Sequence, residues 1–450
     1  MSTLSIPVIV VSAVLLLLFM VLKLKISAFI ALLLTSIYVG VLTGMPLRDI
    51  SRSIQEGMAG TLGFVATVVG LGAIFGQMLE SSGGAESLAD YLLKKFGKER
   101  APWAMVLTGF MVGIPVFFDV GFIILVPIVY ALSRDTKRSL LYYAIPLLAG
   151  LAVTHSFIPP TPGPVAVADI IDAQLGWVIL LGFLLGAPTA IIAGPLFGKY
   201  ISGKINLSAP QGVDEPLQEH DQRPSFRLII IVISLPLILI LLNTFTTVAV
   251  SKEIITASVW TDVVEFIGHP FSALIIATLT ATYFLCIKKG MSKQKVLELS
   301  TKALGPAGII ILITGAGGVL KQVLIDSGIG QLMAETMMYS ALPPILLAWL
   351  ISAAVRVTQG SATVAMITAA SLIAPIITAF ELSDPQRALI VIAIASGATM
   401  LSHVNDSGFW LVGKYLGMNE KQTLQSWTVM ETIISVCGLI FTLIASLFFA

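Results

Sequence analysis

Charge is what this chain lacks. Asp, Glu, Lys and Arg make up only 11% of its 450 residues, against 56% hydrophobic types. A soluble domain carries roughly 25% charged residues. So few charges cannot coat a water-facing surface of this size, which excludes a soluble enzyme, a nucleic-acid binder and a disordered chain. Cysteine is almost absent as well. Cys286 and Cys437 both lie in apolar runs, so neither a disulfide framework nor a metal site is implied. Nucleotide-binding loops and nucleophile motifs are missing, so no cofactor is expected and a nucleotide-driven pump is excluded. Residues 1–4 carry no basic side chain, and Lys23 and Lys25 follow the first apolar run instead. That run is therefore expected to remain as a helix with its N-terminus outside, not to be a cleaved leader. The class that survives is an all-α polytopic membrane protein.

About 20 apolar residues are needed to cross a bilayer as a helix. Such runs occur at 5–22, 25–44, 58–80, 177–198, 226–246, 268–287, 303–325 and 427–449. Four further regions, 102–132, 139–168, 342–380 and 387–416, are too long or too interrupted for one simple span. Basic residues collect on the cytoplasmic side of membrane proteins. With the N-terminus outside, 20 of the 26 Lys and Arg fall in inward loops, four in outward loops, and Lys321 and Arg356 inside apolar runs. Both flanks of 102–132 are then cytoplasmic. A straight helix of that length would measure about 46 Å against a hydrocarbon core of about 30 Å. The spacing predicts a re-entrant hairpin with its tip near 114–121, and a second from the other side with its tip near 357–361.

The two halves resemble each other. Residues 70–83, GLGAIFGQMLESSG, align with 315–328, GAGGVLKQVLIDSG, at an offset of 245. The order of elements repeats too: three spans, a hairpin, an interrupted span and a last span. Each half crosses the membrane an odd number of times, so the halves are inverted. The expected fold is two inverted repeats, 1–198 and 226–450, each with a re-entrant hairpin and a broken helix, joined by a cytoplasmic linker at 199–225. That arrangement has about ten full crossings, with both termini periplasmic.

The first interrupted span reads THSFIPPTPGP at 154–164. Its prolines cannot continue a helix. Unwound backbone inside a membrane is tolerated only where protein buries it or where it lines a wet cavity. Thr154, His155, Ser156 and Thr161 are candidates to face that cavity; a kink closed by neighbouring helices is the plainer alternative. The second interrupted span carries SHVNDSG at 402–408. Here Ser402, His403, Asn405, Asp406 and Ser407 are candidates, with Asp406 also suited to cap the helix from Gly408. His155 and His403 stand at repeat-related breaks. Intramembrane charges mark function or a structural pair. Asp119 and Arg356 either bridge each other, or Arg356 meets an anionic substrate while Asp119 titrates or accepts substrate hydroxyls. The small run Gly360-Ser361-Ala362-Thr363, opening the second hairpin's second arm, suits a carboxylate, and Gln359 just before it is a further candidate. Lys321 reads as a snorkelling lysine. Proton coupling is expected from Asp119, His155, His403 and Asp406. Asp119, amid Phe117, Phe118 and Phe122, is the first choice because its setting is apolar.

The strings IPVFFDVGF at 114–122, THSFIPPTPGPVAVA at 154–168, QGSATVAMIT at 359–368, SHVNDSGFWLV at 402–412 and SWTVMETIISVCG at 426–438 resemble the gluconate/proton symporter family, the gluconate permeases of the ion transporter superfamily. The resemblance covers essentially the whole chain. It implies proton-coupled uptake of gluconate or a related small sugar acid across a bacterial inner membrane. It also implies a homodimer whose transport domain, built from hairpins and broken helices, moves like an elevator. Many gluconate-type members read Pro-Pro-His-Pro-Gly-Pro where this chain has Thr161 in the third place. That leaves room for another aldonate or hydroxy acid. A D-serine-type substrate is a further alternative, and a membrane-embedded enzyme or a passive channel are readings of a different class. The parity argument has a direct test: single cysteines at Lys98 and Arg134 should react with an impermeant thiol reagent from the same, cytoplasmic side. Labelling from opposite sides would undo both the hairpin and the inversion.

Overall fold

In hydrocarbon no water is available to bond free N–H and C=O groups, so the backbone must satisfy itself. Every regular element among the described residues is helical. The computed structural model describes residues 5–209, 223–329, 343–378 and 380–449. Pro210, Pro216 and His220 of the central linker lie outside the described residues. The chain begins with α1 (Ser5–Leu22), α2 (Ala28–Leu42), the 35-residue α3 (Leu47–Ser81) and α4 (Gly84–Phe96). Next come α5 (Ala101–Val112) and α6 (Phe118–Thr136), then α7 (Leu141–Phe157) and α8 (Pro162–Ile170). From α9 (Leu175–Ile191) a π-helical turn leads into α10 (Phe197–Ser202). After the linker follow α11 (Phe226–Ser251), α12 (Val259–Gly268), α13 (Pro270–Ala281) and the 34-residue α14 (Lys293–Asp326). The chain continues through α15 (Pro344–Gln359), α16 (Ala362–Ile377), α17 (Asp384–Gly397) and α18 (Ser407–Leu416). It ends with α19 (Glu420–Thr423), a π-helical turn at Leu424–Thr428, and α20 (Val429–Ser446). Among the described residues, seven helical stretches are long and apolar enough to cross a membrane.

The expected breaks fall where they were placed, and the helix bounds do not. α3 starts 11 residues before the apolar run at 58, with Arg52 reaching Asp49 and Glu56 on its exposed first turns. α14 likewise starts at Lys293, capped by Ser292. Hydrophobicity marks only the part of a helix that meets lipid or protein, whereas the hydrogen-bond ladder continues into water. Gly83 and Gly328, which end α3 and α14, share a left-handed conformation, with φ of +71° and +73°. α4 is partly enclosed: it buries Leu88, Ala89 and Leu92, and Asp90 pairs with Arg223 at 2.8 Å. Lys321 does not simply snorkel. It is half-buried and faces the carboxylates of Asp169 and Asp172.

The chain reverses through the first hairpin region. Lys98, before α5, and Asp135, at the end of α6, form an ion pair at 2.5 Å, so both arms return to one end of the molecule. α7 runs through the middle of the fold, and all its residues except Tyr142 and His155 are buried. A helix apolar on every side has to be enclosed by others. Lipid tails give helices no hydrophobic reason to associate, so packing depends on close backbone approach at small residues. α5 meets α7 in this way. A Cβ on Gly109 would lie 2.3 Å from the Leu147 carbonyl oxygen, and one on Gly150 would lie 2.3 Å from that of Val106. Gly150→Val should therefore lower stability by about 1–3 kcal/mol, the range for overpacking. The check is a fall in melting temperature of the purified protein in detergent. An unchanged melting curve would mean that the α5–α7 contact is not made.

Candidate functional site

The two helix breaks and the two hairpin tips converge on one cavity of about 580 Å³. Its wall includes Asp119 from the start of α6, His155 and Ser156 from the end of α7, and Gln359, Gly360 and Ser361 from the α15–α16 turn. Arg356, Asn405, Asp406 and Ser407 complete that side, and Pro306 and Ile310 of α14 close another.

Local chemistry explains how the turns are held. At α15 the C-terminal carbonyls lack helical partners and need others. His403 Nε2–H donates to the Val357 carbonyl at 2.9 Å, and Asn405 Nδ2 donates to Val357 at 3.0 Å and to Thr358 at 3.3 Å. Gly360, at φ +89°, sends its N–H back to the Arg356 carbonyl. A Cβ there would sit 2.2 Å from the Asn405 carbonyl oxygen, so glycine is required both by conformation and by space. Ser361 then caps α16 by accepting from Val364 N–H.

Arg356 is 3% exposed. Its Nη2 donates to Asp406 Oδ2 at 2.5 Å, while Nε and Nη1 have no protein partner among the described residues. Asp406 is held on three sides. Besides Arg356 it accepts from Ser402 Oγ and, as the α18 cap, from Gly408 N–H at 3.0 Å. Ser402 in turn accepts from Trp427 Nε1–H at 2.7 Å, and Thr428 Oγ1 donates to the Ser402 carbonyl. The π-helical turn at Leu424–Thr428 aims Trp427 and Thr428 at the break. π-turns of this kind often mark functional positions.

The bridge between Asp119 and Arg356 is not formed; Asp406 takes that place. Asp119 is also not enclosed by its phenylalanine neighbours. It is exposed to the cavity and makes no hydrogen bond among the described residues, because its place in the first turn of α6 points it into the opening. Thr154 and Thr161 do not line the cavity. Both are buried, and their hydroxyls donate back to their own chain, to Gly150 at 2.9 Å and Ile158 at 2.6 Å. Short hydroxyl side chains commonly satisfy themselves this way. His403 is a strut behind the α15 end and not part of the wall. His155 is half-buried, and its Nδ1 lacks a protein partner among the described residues.

Beyond the apolar wall residues Ala152, Pro306 and Ile310, the sequence reading missed two side chains with polar atoms, Trp427 and Glu431. Glu431 sits one helical turn after Trp427, on the same face, and is 4% exposed. Its signal was available: it is the only charged residue in the apolar run 427–449.

A multi-pass helical bundle whose broken helices enclose a polar cavity with a half-paired arginine defines a membrane permease. The sequence profile of the GntP family permease matches residues 4–448, and the chain belongs to that family. It is 44% identical to the low-affinity gluconate transporter of Escherichia coli strain K12, covering 99% of each chain. It is 42% identical to the gluconate permease of Pseudomonas aeruginosa, covering 94% of each. The fold is similar to that of the Alcanivorax borkumensis YdaH transporter, with a TM-score of 0.63, 14% identity and 88% of each chain covered. The protein is a membrane transporter and not an enzyme.

Removing Asp406 would leave the buried guanidinium without its counter-charge. Asp406→Ala should destabilise the fold by about 3–5 kcal/mol, and adding Arg356→Met should recover most of the loss. Thermal melting of the single and double variants measures both, and additive losses would show that the pair is not coupled.

Proposed function

We propose that the protein is a proton-coupled symporter that brings gluconate, or a closely related sugar acid, through the inner membrane. The observation that carries this reading is Arg356 itself: its Nε–H and Nη1–H groups are buried on the wall of a cavity without a partner among the described residues. With one Nη2–H given to Asp406, Nη1–H and the second Nη2–H remain as a planar fork for a carboxylate, a geometry that lysine cannot offer. The N-termini of α16 and α18 open on the same wall at Ser361, Thr363, Ser407 and Gly408, and helix N-termini favour anions. Asp119, His155 and Ser156 stand on the wall with the C-terminal end of α7. They offer acceptors and a hydroxyl to a polyol chain. A small molecule with one carboxylate and several hydroxyls fits that division. The gluconate transporters among the relatives support the same substrate.

In this reading Arg356, Gln359, Gly360, Ser361, His155, Ser156 and Asn405 bind substrate. The inverted repeat is supported by the matching lengths and glycine ends of α3 and α14, and by the recurrence of a two-arm hairpin followed by a broken helix in each half. The return of both α5 and α6 to one end supports re-entrance and about ten crossings, with periplasmic termini. The working unit is a homodimer.

Everted and right-side-out vesicles test the function. Radiolabelled gluconate should accumulate in energised vesicles, and accumulation should collapse with a proton uncoupler. Arg356→Lys should raise the half-saturating concentration by at least about tenfold, equal to about 1.4 kcal/mol, with normal amounts of protein in the membrane. Uptake indifferent to the uncoupler would remove proton coupling from the reading. An unaltered half-saturation would remove Arg356 from the carboxylate site.

A further inference from the structure

We propose that Glu431 carries the proton that enters the cavity with the substrate carboxylate. The inference rests on the reading of the cavity as a carboxylate site and assigns its coupling group. Three carboxylates line the cavity, Asp119, Asp406 and Glu431, facing one cation, Arg356. Their surroundings differ. Asp406 is held by Arg356, by the Ser402 hydroxyl and by the Gly408 N–H, all of which favour its charged form. Asp119 is exposed to the cavity, where water can solvate its charge. Glu431 alone is both buried and without a hydrogen bond to any described protein group.

The charge count makes the coupling. Arg356 already neutralises Asp406. A substrate carboxylate arriving on its remaining donors brings a further negative charge into the same enclosure as Glu431. Two like charges sharing a poorly solvated site repel strongly, and a proton on one of them removes the repulsion. The substrate cannot be that one without losing its grip on Arg356, so the proton goes to Glu431. When the substrate leaves, Arg356 is free to stabilise Glu431 again, and the proton is released. Of the wall groups able to take a proton, His155 and Asp119 are less enclosed than Glu431. The elements against α20 present Arg356 from α15, His155 from α7 and, from the second break, Asp406. Asp119 of α6 looks in across the cavity. α9 and its π-helical turn contribute no titratable side chain, and the charges of α17 lie at its far end.

Two measurements on the purified full-length protein test the proposal. In weakly buffered detergent solution with a pH indicator, the parent should take up a proton with each gluconate bound. Its affinity should weaken by up to about tenfold per pH unit on the alkaline side, as linkage to a single proton requires. Glu431→Gln should bind gluconate without proton uptake and with a flat pH dependence, and its vesicles should exchange gluconate but not accumulate it. If Glu431→Gln binds gluconate and still takes up the proton, the proposal is overturned. It is also overturned if Asp119→Asn loses the uptake that Glu431→Gln keeps. Should Glu431→Gln fail to assemble, Glu431→Asp carries the test: the shorter acid should keep the uptake but move the pH at which it occurs, and an unmoved profile counts against the role. Failure of the substrate reading has a separate signature. The parent would not bind gluconate at any pH, and the titration is then run with the small carboxylate that it does bind.

Discussion

The buried ion pair between Arg356 and Asp406 is the contact on which the site depends. A guanidinium at this depth needs a counter-charge, and it finds one on a segment 50 residues further along. That single bond joins the end of one hairpin arm to the break in the second interrupted helix. Because Asp406 also caps α18 and binds Ser402, the helix start, the break and the arginine move as one unit. The arginine is thereby held through Nη2, with Nε and Nη1 left without a partner among the described residues. An arginine paired on both edges would be structural, and one with no partner would be too costly to bury.

The two breaks meet the demand for backbone satisfaction by opposite means. In the first, Thr154 and Thr161 bond to their own turns, prolines remove donors that would otherwise need partners, and nearly everything is buried. In the second, His403 and Asn405 reach across to the carbonyls of α15, while Trp427 and Thr428 reach in from the last span. The first break is a dry support whose one polar opening is His155 with Ser156. The second is a strutted polar wall that carries the charge. This asymmetry divides the cavity into a side suited to hydroxyls and a side suited to a carboxylate. The same division sets the electrostatic problem that a second negative charge must solve on entry.

Much of this was legible in the sequence. Scarce charge marked the class, and prolines and polar clusters the places where helices stop. Those features act locally or through the bilayer, whose constraints hold whatever the fold. Arg356, Asp406, Gly360 and Asn405 were legible for the same reason: a polar or charged group in an apolar run has to be accounted for. The rule applied equally to Glu431, which was passed over because the last span otherwise reads as an uninterrupted helix.

Other matters were decided only by tertiary packing. Sequence spacing could not say that Arg356 would choose Asp406 over Asp119, since that choice depends on which break swings toward which hairpin. Nor could it show that Asp119 faces open space despite its aromatic neighbours, because adjacent residues on a helix point in different directions. Thr154 and Thr161 looked like cavity residues by position, and rotamers that bond their own turns withdrew them. What the sequence by itself determined is the set of polar groups that the membrane-embedded chain has to satisfy. Which of them satisfy each other, and which are left open to a substrate, follows from tertiary contacts that bring segments 25 to 50 residues apart, such as Ser402 with Trp427 and Arg356 with Asp406, within hydrogen-bond reach.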